Sequence, residues 1–221
     1  MSKYRVAVSY SGGIDSTVLA YDAVSSYGKD RVVLINVFVG RPTDVMAQKN
    51  ISFHSKKLGV LAVSVPLQVP KCVKGRSNIF LGSPNRKAHD VSDDPGSDYA
   101  LSQEVLLDDY APGLYTMLWC VVGAKAIELG CDTVLTGCYT SPVHNVYTDT
   151  DSRFMDTLNL HGTQIWGRDA PEFRSPLLTK EDTVSLGKEL GVDFSKTHSC
   201  SFVPACGVCL ECIVRKEVLC E

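Results

Sequence analysis

The chain has 221 residues, of which 44% are hydrophobic and 21% charged, and its formal net charge is −3. These values fit one large globular domain with a small appendage, and the acidic balance disfavours a nucleic-acid partner, which usually needs a basic face. No apolar run approaches the roughly 20 residues that cross a bilayer, and the first residues lack a signal-peptide pattern. We therefore expect a cytoplasmic protein without a membrane partner.

The N-terminal segment predicts a strand, a glycine loop and a helix. Residues 4–10 form the strand, residues 11–17 (Ser-Gly-Gly-Ile-Asp-Ser-Thr) the loop and residues 18–24 the helix. Glycines permit a tight turn, and the free amides of a first helical turn attract an anion. The lysine of the Walker loop is missing. Asp15 is acidic instead, which favours Mg²⁺ beside a polyphosphate. The alternative is an ordinary turn in which Asp15 starts the helix.

The sequence Ser-Gly-Gly-x-Asp-Ser resembles the PP-loop of the N-type ATP pyrophosphatases, which cleave ATP to AMP and pyrophosphate. The resemblance implies that the loop holds the two outer phosphates of ATP. It also implies an α/β fold with a Rossmann-like, doubly wound parallel sheet of the PP-loop (adenine nucleotide alpha hydrolase) type. The residues that we expect at the nucleotide are Ser9, Tyr10, Ser11, Gly12, Gly13, Asp15, Ser16, Thr17, Asn36, Val37 and Gly137.

Alternating strand and helix patterns over residues 4–65 also predict a parallel sheet, of about five strands. Residues 31–39 read as a second, buried strand, residues 44–58 as a helix that ends at Gly59, and residues 60–65 as a third strand. Ligands of such sheets bind at the carboxyl ends of the strands. The loop, the second strand near Asn36 and the turn at residues 40–42 are expected to meet there.

After a long connection, the second half of the chain again alternates between helix and strand patterns. Residues 66–109 are either a lid or a solvated loop, and we expect a flexible insertion over the site. Residues 114–129 predict a helix and residues 132–138 a fourth strand, in which Gly137 marks a close backbone approach. Another helical pattern follows, and residues 174–178 are extended. Thr179 is a candidate cap for a helix that ends near Gly191.

Four of the nine cysteines are clustered near the C-terminus, at Cys200, Cys206, Cys209 and Cys212. In a reducing compartment such a cluster indicates a metal site, not disulfides. Four thiolates match a closed, structural zinc site, and an iron–sulfur cluster is the alternative. We therefore predict an ATP-binding α/β domain over residues 1–195, with the insertion at 66–109, and a zinc-binding segment over residues 196–221.

The loop and the Cys-Gly-x-Cys-x-x-Cys cluster together resemble the QueC family, the 7-cyano-7-deazaguanine synthases, and weaker matches span the chain. The resemblance implies Asp15 and Lys180 as catalytic residues, and Arg41, Tyr147 and Asp149 as substrate-binding residues. Lys180 as a solvated first-turn residue and Asp149 as a helix-start residue are the alternatives. The resemblance also implies ATP, Mg²⁺ and Zn²⁺ as cofactors and a homodimer.

The chemistry implied by this resemblance uses 7-carboxy-7-deazaguanine, ammonia and ATP. The carboxylate is a poor electrophile, so the enzyme would transfer AMP onto it and release pyrophosphate. Ammonia would then displace AMP to give an amide. A second adenylation, on the amide oxygen, would allow elimination of AMP to leave the nitrile.

The chain departs from the family pattern at residues 112–115. They read Pro-Gly-Leu-Tyr, where QueC proteins carry Pro-Gly-Arg-Asn or Pro-Ala-Arg-Asn. The end-to-end match favours the ordinary synthase. Loss of the Arg and Asn suggests two other possibilities. One stops at the acyl-adenylate, and the other is an antiviral QueC-like enzyme that transfers the activated deazaguanine to a protein amine.

Two alternatives belong to other classes. One is a PP-loop enzyme that modifies tRNA, which the acidic net charge disfavours. The other is a protein that binds ATP or a deazaguanine without turnover, which the intact loop disfavours.

Overall fold

The computed structural model describes residues 4–70, 113–138, 152–177, 179–207 and 209–220. These ranges contain a five-stranded sheet in which every pair of neighbouring strands is parallel. The prediction of an α/β fold with a parallel sheet is therefore confirmed. In the order β3-β2-β1-β4-β5, the strands are β1 Val6–Ser9, β2 Val32–Phe38, β3 Leu61–Pro66, β4 Thr133–Leu135 and β5 Glu172–Arg174.

Helices pack on both faces of the sheet. In the described ranges they are α1 Ile14–Tyr27, α2 Asp44–Leu58, α3 Leu114–Glu128, α4 Ser152–Trp166, α5 Lys180–Glu189 and α6 Leu210–Leu219. Short 3-10 helices lie at Lys29–Arg31, Gly167–Asp169 and Phe194–Lys196. In the part of the chain that the structure describes, no helix has both the length and the apolar character needed to span a membrane.

Successive side chains of a strand point to opposite faces of the sheet, so the buried residues form two cores, one on each face. Ile35 of β2 packs with Trp119 of α3 on one face of the sheet. Leu34 packs with Leu19 of α1 and Ile51 of α2 on the other. A third apolar cluster joins α1 to α5 beside this second core. The two faces together account for the near-continuous apolar sequence of β1 and β2.

Several predicted elements are confirmed. The helix predicted at residues 44–58 has those bounds, and Gly59 takes the left-handed φ of 68° that stops it. Thr179 caps α5 by accepting a hydrogen bond from the backbone N–H of Asp182. The strands predicted at residues 31–39 and 60–65 and the helix at residues 114–129 match β2, β3 and α3 within two residues.

Other boundaries differ from the predictions. β4 is shorter than residues 132–138: it ends at Leu135, and Gly137 beyond it lies against the first turn of α1. The extended segment predicted at residues 174–178 overlaps β5 only at Arg174, because this strand spans Glu172–Arg174. The strand ends before Pro176, which cannot donate a hydrogen bond to the ladder. Helix α6 was not predicted.

The predicted insertion at residues 66–109 lies mostly outside the described residues. Its first residues do not fit a flexible loop, because Val69 is buried and the Leu67 N–H donates to the Phe38 carbonyl at 2.7 Å. The well-packed part of the chain therefore extends beyond the predicted boundary.

A buried histidine links α2 to the C-terminal segment. The Nδ1 atom of His54 lies 3.0 Å from the Tyr21 hydroxyl, and its Nε2 atom lies 3.0 Å from the Lys196 carbonyl oxygen. Because a carbonyl oxygen only accepts, Nε2 carries the proton and Nδ1 accepts from Tyr21. Burial lowers the pKa of His54 below its ordinary value of 6.5 and outweighs the Lys196 carbonyl, which raises it.

We expect His54 to make the fold sensitive to acid. Below pH 6.5 the unfolded chain binds a proton that the folded chain resists, because the folded pKa is lowered. The free energy of unfolding should therefore be highest above that pH and fall as the pH drops towards the folded pKa. Denaturant titrations at about pH 7.5 and about pH 5.5 measure this loss.

The matched variant is His54→Phe, which cannot titrate. It should lose less stability between the two pH values than the natural chain. At the higher pH it should be about 1–3 kcal/mol less stable, because the Tyr21 hydroxyl and the Lys196 carbonyl lose a buried partner. Identical pH dependence in the two proteins would rule out His54 as a source of the acid sensitivity.

Candidate functional site

The glycine loop lies where the strand order reverses. The chain passes from β1 to β2 on one side and later returns to β4 on the other, so the carboxyl end of β1 is the topological switch point at which such sheets bind ligands. Helix α1 begins at Ile14, and its N-cap is Gly13, which has no side chain to cap the helix. The first-turn amides and the positive end of the helix dipole are therefore directed at this edge.

Two serines shape the loop. The hydroxyl oxygens of Ser11 and Ser16 are 3.1 Å apart, and the Ser11 N–H donates to Ser16 Oγ at 3.2 Å. Behind them, the buried Tyr10 hydroxyl lies 3.1 Å from Thr17 Oγ1, and burial raises the pKa of Tyr10. Tyr10 therefore stays protonated and supports the loop from the interior. Ser9 is the last residue of β1 and is half-buried.

A lysine from a distant part of the sequence meets the acidic residue of the loop. The Lys180 ammonium lies 2.6 Å and 2.7 Å from the two carboxylate oxygens of Asp15. Both side chains are mostly buried, with exposed fractions of 17% and 24%. The first turns of α1 and α5 therefore place a cation and a carboxylate together beside the glycine loop.

Gly137 brings the end of β4 against the same turn, as its sequence predicts. A Cβ atom at this position would lie 3.1 Å from Asp15 Cβ and 3.2 Å from Ser16 N. A larger residue would push directly on the backbone of the loop.

The end of β2 forms the other border of the site. Asn36 Nδ2 donates to the Tyr10 carbonyl at 2.6 Å, which ties β2 to the start of the loop. Val37 is only 8% exposed and packs in the core, so only its backbone is suited to a ligand contact. Arg41 follows in the turn after β2, with Nε 3.7 Å from Asp44 Oδ1. Asp44 holds that turn by accepting from three successive backbone N–H groups, those of Val39, Gly40 and Arg41.

Two expected substrate residues, Tyr147 and Asp149, lie outside the described residues. The departure from the family pattern at residues 112–115 is described from Gly113 onwards. Leu114 is buried in the core, and Tyr115 is half-buried with its ring 6.1 Å from that of Trp119. Leu114 thus contributes to apolar packing of α3.

Two loop contacts were not predicted from the sequence. Asn50 Nδ2 donates to the Gly12 carbonyl at 3.1 Å, and the His198 N–H donates to the same oxygen at 2.9 Å. Asn50 could have been suspected of a structural contact, because it lies on the buried face of α2 with Ala47, Ile51 and His54. His198 acts through its backbone, which leaves no sequence signal.

The four clustered cysteines converge as the sequence predicts. Their sulfurs all lie within 4.8 Å of one another, and Cys200 Sγ is 3.7 Å from the sulfurs of both Cys206 and Cys209. A tetrahedron with zinc–sulfur bonds of about 2.3 Å has sulfurs about 3.8 Å apart. The donor set and its spacing therefore fit zinc, for which the four ligands would be Cys200, Cys206, Cys209 and Cys212.

Backbone N–H groups also point at these sulfurs. Those of Phe202 and Cys206 donate to Cys200 Sγ at 3.4 Å, and that of Gly207 donates to Cys212 Sγ at 3.3 Å. With the thiol of Cys209 as the largest cause, these bonds lower the pKa of Cys200 to about 4. Cys200 thus favours thiolate, the form that binds metal. The hydrogen bond with Cys200 raises the pKa of Cys209, and burial raises that of Cys212.

We expect one zinc ion per chain and a large loss of stability when it is removed. Cys209→Ser should release the metal, because Cys209 is a buried ligand candidate. A loss of about 3 kcal/mol would lower the melting temperature by roughly 6–12 °C in a chain of this size. Elemental analysis and thermal melts measure both effects.

The matched control is Cys220→Ser, since Cys220 is exposed and outside the cluster. It should keep its zinc and its melting temperature. A colourless natural protein with no bound metal and no response to chelators would contradict the zinc site. A coloured protein with bound iron would favour an iron–sulfur cluster instead.

The fold and the site together define an α/β protein of the PP-loop type with a cysteine cluster that could bind zinc. A family model described as "Queuosine biosynthesis protein QueC" matches residues 5–221. The chain therefore belongs to the QueC family, as its motifs predicted.

Individual relatives agree with the family model. The chain is 29% identical over 218 residues to a 7-cyano-7-deazaguanine synthase of Koribacter versatilis, and the match covers 96% of this chain and 86% of the relative. It is 28% identical to the protein of that name from Caldicellulosiruptor bescii, covering 96% and 91%. It is 26% identical to that of Pyrococcus furiosus, covering 99% and 93%. The similarity thus extends along nearly the whole of each chain.

Proposed function

We propose that the protein is an ATP-dependent ligase of the 7-cyano-7-deazaguanine synthase type. Its membership of the QueC family and the names of its relatives support the reaction class. The structural observation that carries the proposal is the pair of Lys180 and Asp15, 2.6 Å apart beside the glycine loop. This pair supplies a cation and a candidate Mg²⁺ ligand where a phosphate-binding loop is expected.

In this proposal the glycine loop holds the two outer phosphates of ATP. The first-turn amides of α1 would donate to the phosphate oxygens, as would the hydroxyls of Ser11 and Ser16. Lys180 would stabilise the negative charge of the leaving pyrophosphate. Mg²⁺, for which Asp15 offers a carboxylate oxygen, would offset charge on the same phosphates. The end of β2 at Asn36 would border the rest of the nucleotide.

The proposed reaction has two adenylation steps. A carboxylate oxygen of 7-carboxy-7-deazaguanine attacks the α-phosphorus of ATP, and pyrophosphate leaves. Ammonia displaces AMP from the acyl-adenylate to form the amide. The amide oxygen attacks the α-phosphorus of a second ATP, and pyrophosphate and one N–H proton leave. Elimination of AMP together with the second N–H proton then leaves the nitrile. The loop and Lys180 serve both steps, because the nucleotide chemistry is the same in each.

We assign substrate binding to Arg41, Tyr147 and Asp149, following the family resemblance. Arg41 lies at the carboxyl edge of the sheet, after β2, where it would face the carboxylate of the substrate. Asp149 would accept hydrogen bonds from the guanine-like edge of the substrate. We also propose that the enzyme works in the cytoplasm as a homodimer, and that its ATP-binding and zinc-binding parts divide near residue 195.

The Lys180–Asp15 pair gives the sharpest test of the ATP site. Lys180→Met should lower the rate of pyrophosphate release by about 100- to 1000-fold, the usual effect of removing one preorganised stabilising group. Asp15→Ala should also abolish release while leaving the fold intact. A coupled phosphate assay measures the rates, and circular dichroism checks the fold.

The matched control is Lys188→Met on the exposed side of the same helix. It removes an equal charge at a distance from the loop and should keep the natural rate. Equal losses in the Lys180 and Lys188 variants would show a general charge effect. Full activity of either loop variant would remove that residue from the mechanism.

The product identifies the substrate and the acceptor. The protein is incubated with 7-carboxy-7-deazaguanine, ATP, Mg²⁺ and ammonia, and the products are identified by mass. We expect the nitrile, with two ATP cleaved for each nitrile formed. Accumulation of the acyl-adenylate or amide would indicate an enzyme that stops early, and a mass increase on an added protein would indicate a protein acceptor. ATP cleavage with a different substrate only, including tRNA, would overturn the substrate assignment.

A further inference from the structure

The carbonyl of Gly12 receives two hydrogen bonds from opposite parts of the sequence. The side chain of Asn50 donates from α2 at 3.1 Å, and the backbone N–H of His198 donates from the C-terminal segment at 2.9 Å. Gly12 has a φ of 84°, and a Cβ there would lie 3.0 Å from Ala47 Cα. The loop is therefore held closely between α2 and the segment that leads into the cysteine cluster.

These two bonds fix the direction of the next amide. The Gly12 carbonyl and the Gly13 N–H belong to one planar peptide unit, in which they point in opposite directions. With the carbonyl oxygen held by Asn50 and His198, the Gly13 N–H points to the opposite side, towards Ser11 Oγ at 3.4 Å. That is the side on which the loop would hold phosphate. Rotation of this peptide would withdraw the amide from the anion.

The position of His198 depends on the cysteine cluster. His198 is two residues before Cys200, its Nε2 lies 2.9 Å from the Phe202 carbonyl oxygen, and the Phe202 N–H donates to Cys200 Sγ at 3.4 Å. The small core of this segment consists of Phe202 and the four cysteines themselves. With so little apolar surface, the segment needs its metal to keep its shape.

We propose that the metal site and the phosphate loop are energetically coupled through the Gly12 carbonyl. Zinc bound to the four cysteines holds the His198 N–H in place, which keeps the Gly12–Gly13 peptide in the orientation that accepts phosphate. Zinc thus strengthens nucleotide binding, and by linkage the nucleotide strengthens retention of zinc by the same factor. This inference rests on the proposed binding of ATP at the loop.

The experiment compares two substitutions of one residue. His198→Ala removes the imidazole but keeps the backbone N–H, whereas His198→Pro removes the N–H as well. Thr197 has a φ of −122° and a ψ of 153°, the extended conformation that a residue before proline requires. Calorimetry measures the affinity for an ATP analogue with a methylene bridge between the α- and β-phosphates, with zinc bound and after removal by a chelator.

We expect the natural chain to bind the analogue about tenfold more tightly with zinc than without it. His198→Ala loses the contact with the Phe202 carbonyl but keeps the N–H and the two-residue link to Cys200, so it should retain part of this difference. His198→Pro should bind it equally weakly in both states. The second measurement is zinc release to a colorimetric chelator. The analogue should slow release in the natural chain and in His198→Ala, but not in His198→Pro. Circular dichroism confirms that each protein is folded.

A second variant tests the same carbonyl if the proline variant does not fold. Asn50→Leu removes the other donor while keeping the number and branching of the side-chain heavy atoms, and it should weaken analogue binding several-fold while zinc is retained. Its control is Lys57→Met, which removes an exposed hydrogen bond from α2 to the Gly191 carbonyl, at 2.9 Å, away from the loop, and should bind the analogue normally.

The outcomes separate this inference from the proposed function. If the zinc-loaded natural chain does not bind the analogue, ATP binding at the loop is wrong and the coupling falls with it. If it binds the analogue but the affinity is the same without zinc, or the same in the alanine and proline variants, the coupling alone is overturned.

Discussion

The conformation of the loop at the carboxyl end of β1 depends on two close backbone contacts, each made at a glycine because a Cβ atom would not fit. Gly12 lies against α2, where a Cβ would be 3.0 Å from Ala47 Cα, and Gly137 lies against the first turn of α1, where a Cβ would be 3.1 Å from Asp15 Cβ. Protein interiors of this density do not deform continuously. The position of the loop is therefore set by the sheet and helices around it.

The same close packing explains how the candidate catalytic pair is assembled. Asp15 lies in the first turn of α1 beside the loop, and Lys180 is the first residue of α5. These two helices pack together through the apolar cluster that includes Val18 and Val184. Apolar packing between two helices thus places an ammonium 2.6 Å from a carboxylate. In the proposed function, phosphate oxygens would interact with the ammonium of this pair and Mg²⁺ with its carboxylate.

The C-terminal segment contributes to the site although it contains little core of its own. His54 holds the Lys196 carbonyl and His198 holds the Gly12 carbonyl. Arg215 of α6 adds bonds of 2.8 Å to Thr197 Oγ1 and to the Phe194 carbonyl. These polar bonds join the cysteine cluster to α2 and the loop. The segment therefore forms one side of the loop and also carries the candidate metal site.

The sequence by itself determined the parallel α/β fold, the glycine loop, the cysteine cluster and the family, because each is encoded locally. Strand and helix periodicity, the spacing of Ser-Gly-Gly-x-Asp-Ser and the spacing of four cysteines all lie within short windows. The resemblance also singled out Lys180 and Asp15. Their contact, however, joins residues 165 positions apart, and only tertiary packing brings them within hydrogen-bond distance.

The tertiary structure alone decided the roles of Asn50, His54 and His198. A buried polar residue on a helix shows that a partner is needed but does not identify it. The partners here are backbone carbonyls and a hydroxyl brought together from the loop, α1 and the C-terminal segment. A backbone N–H such as that of His198 is present in every residue except proline, so its role has no signature in sequence and follows only from where the chain is placed.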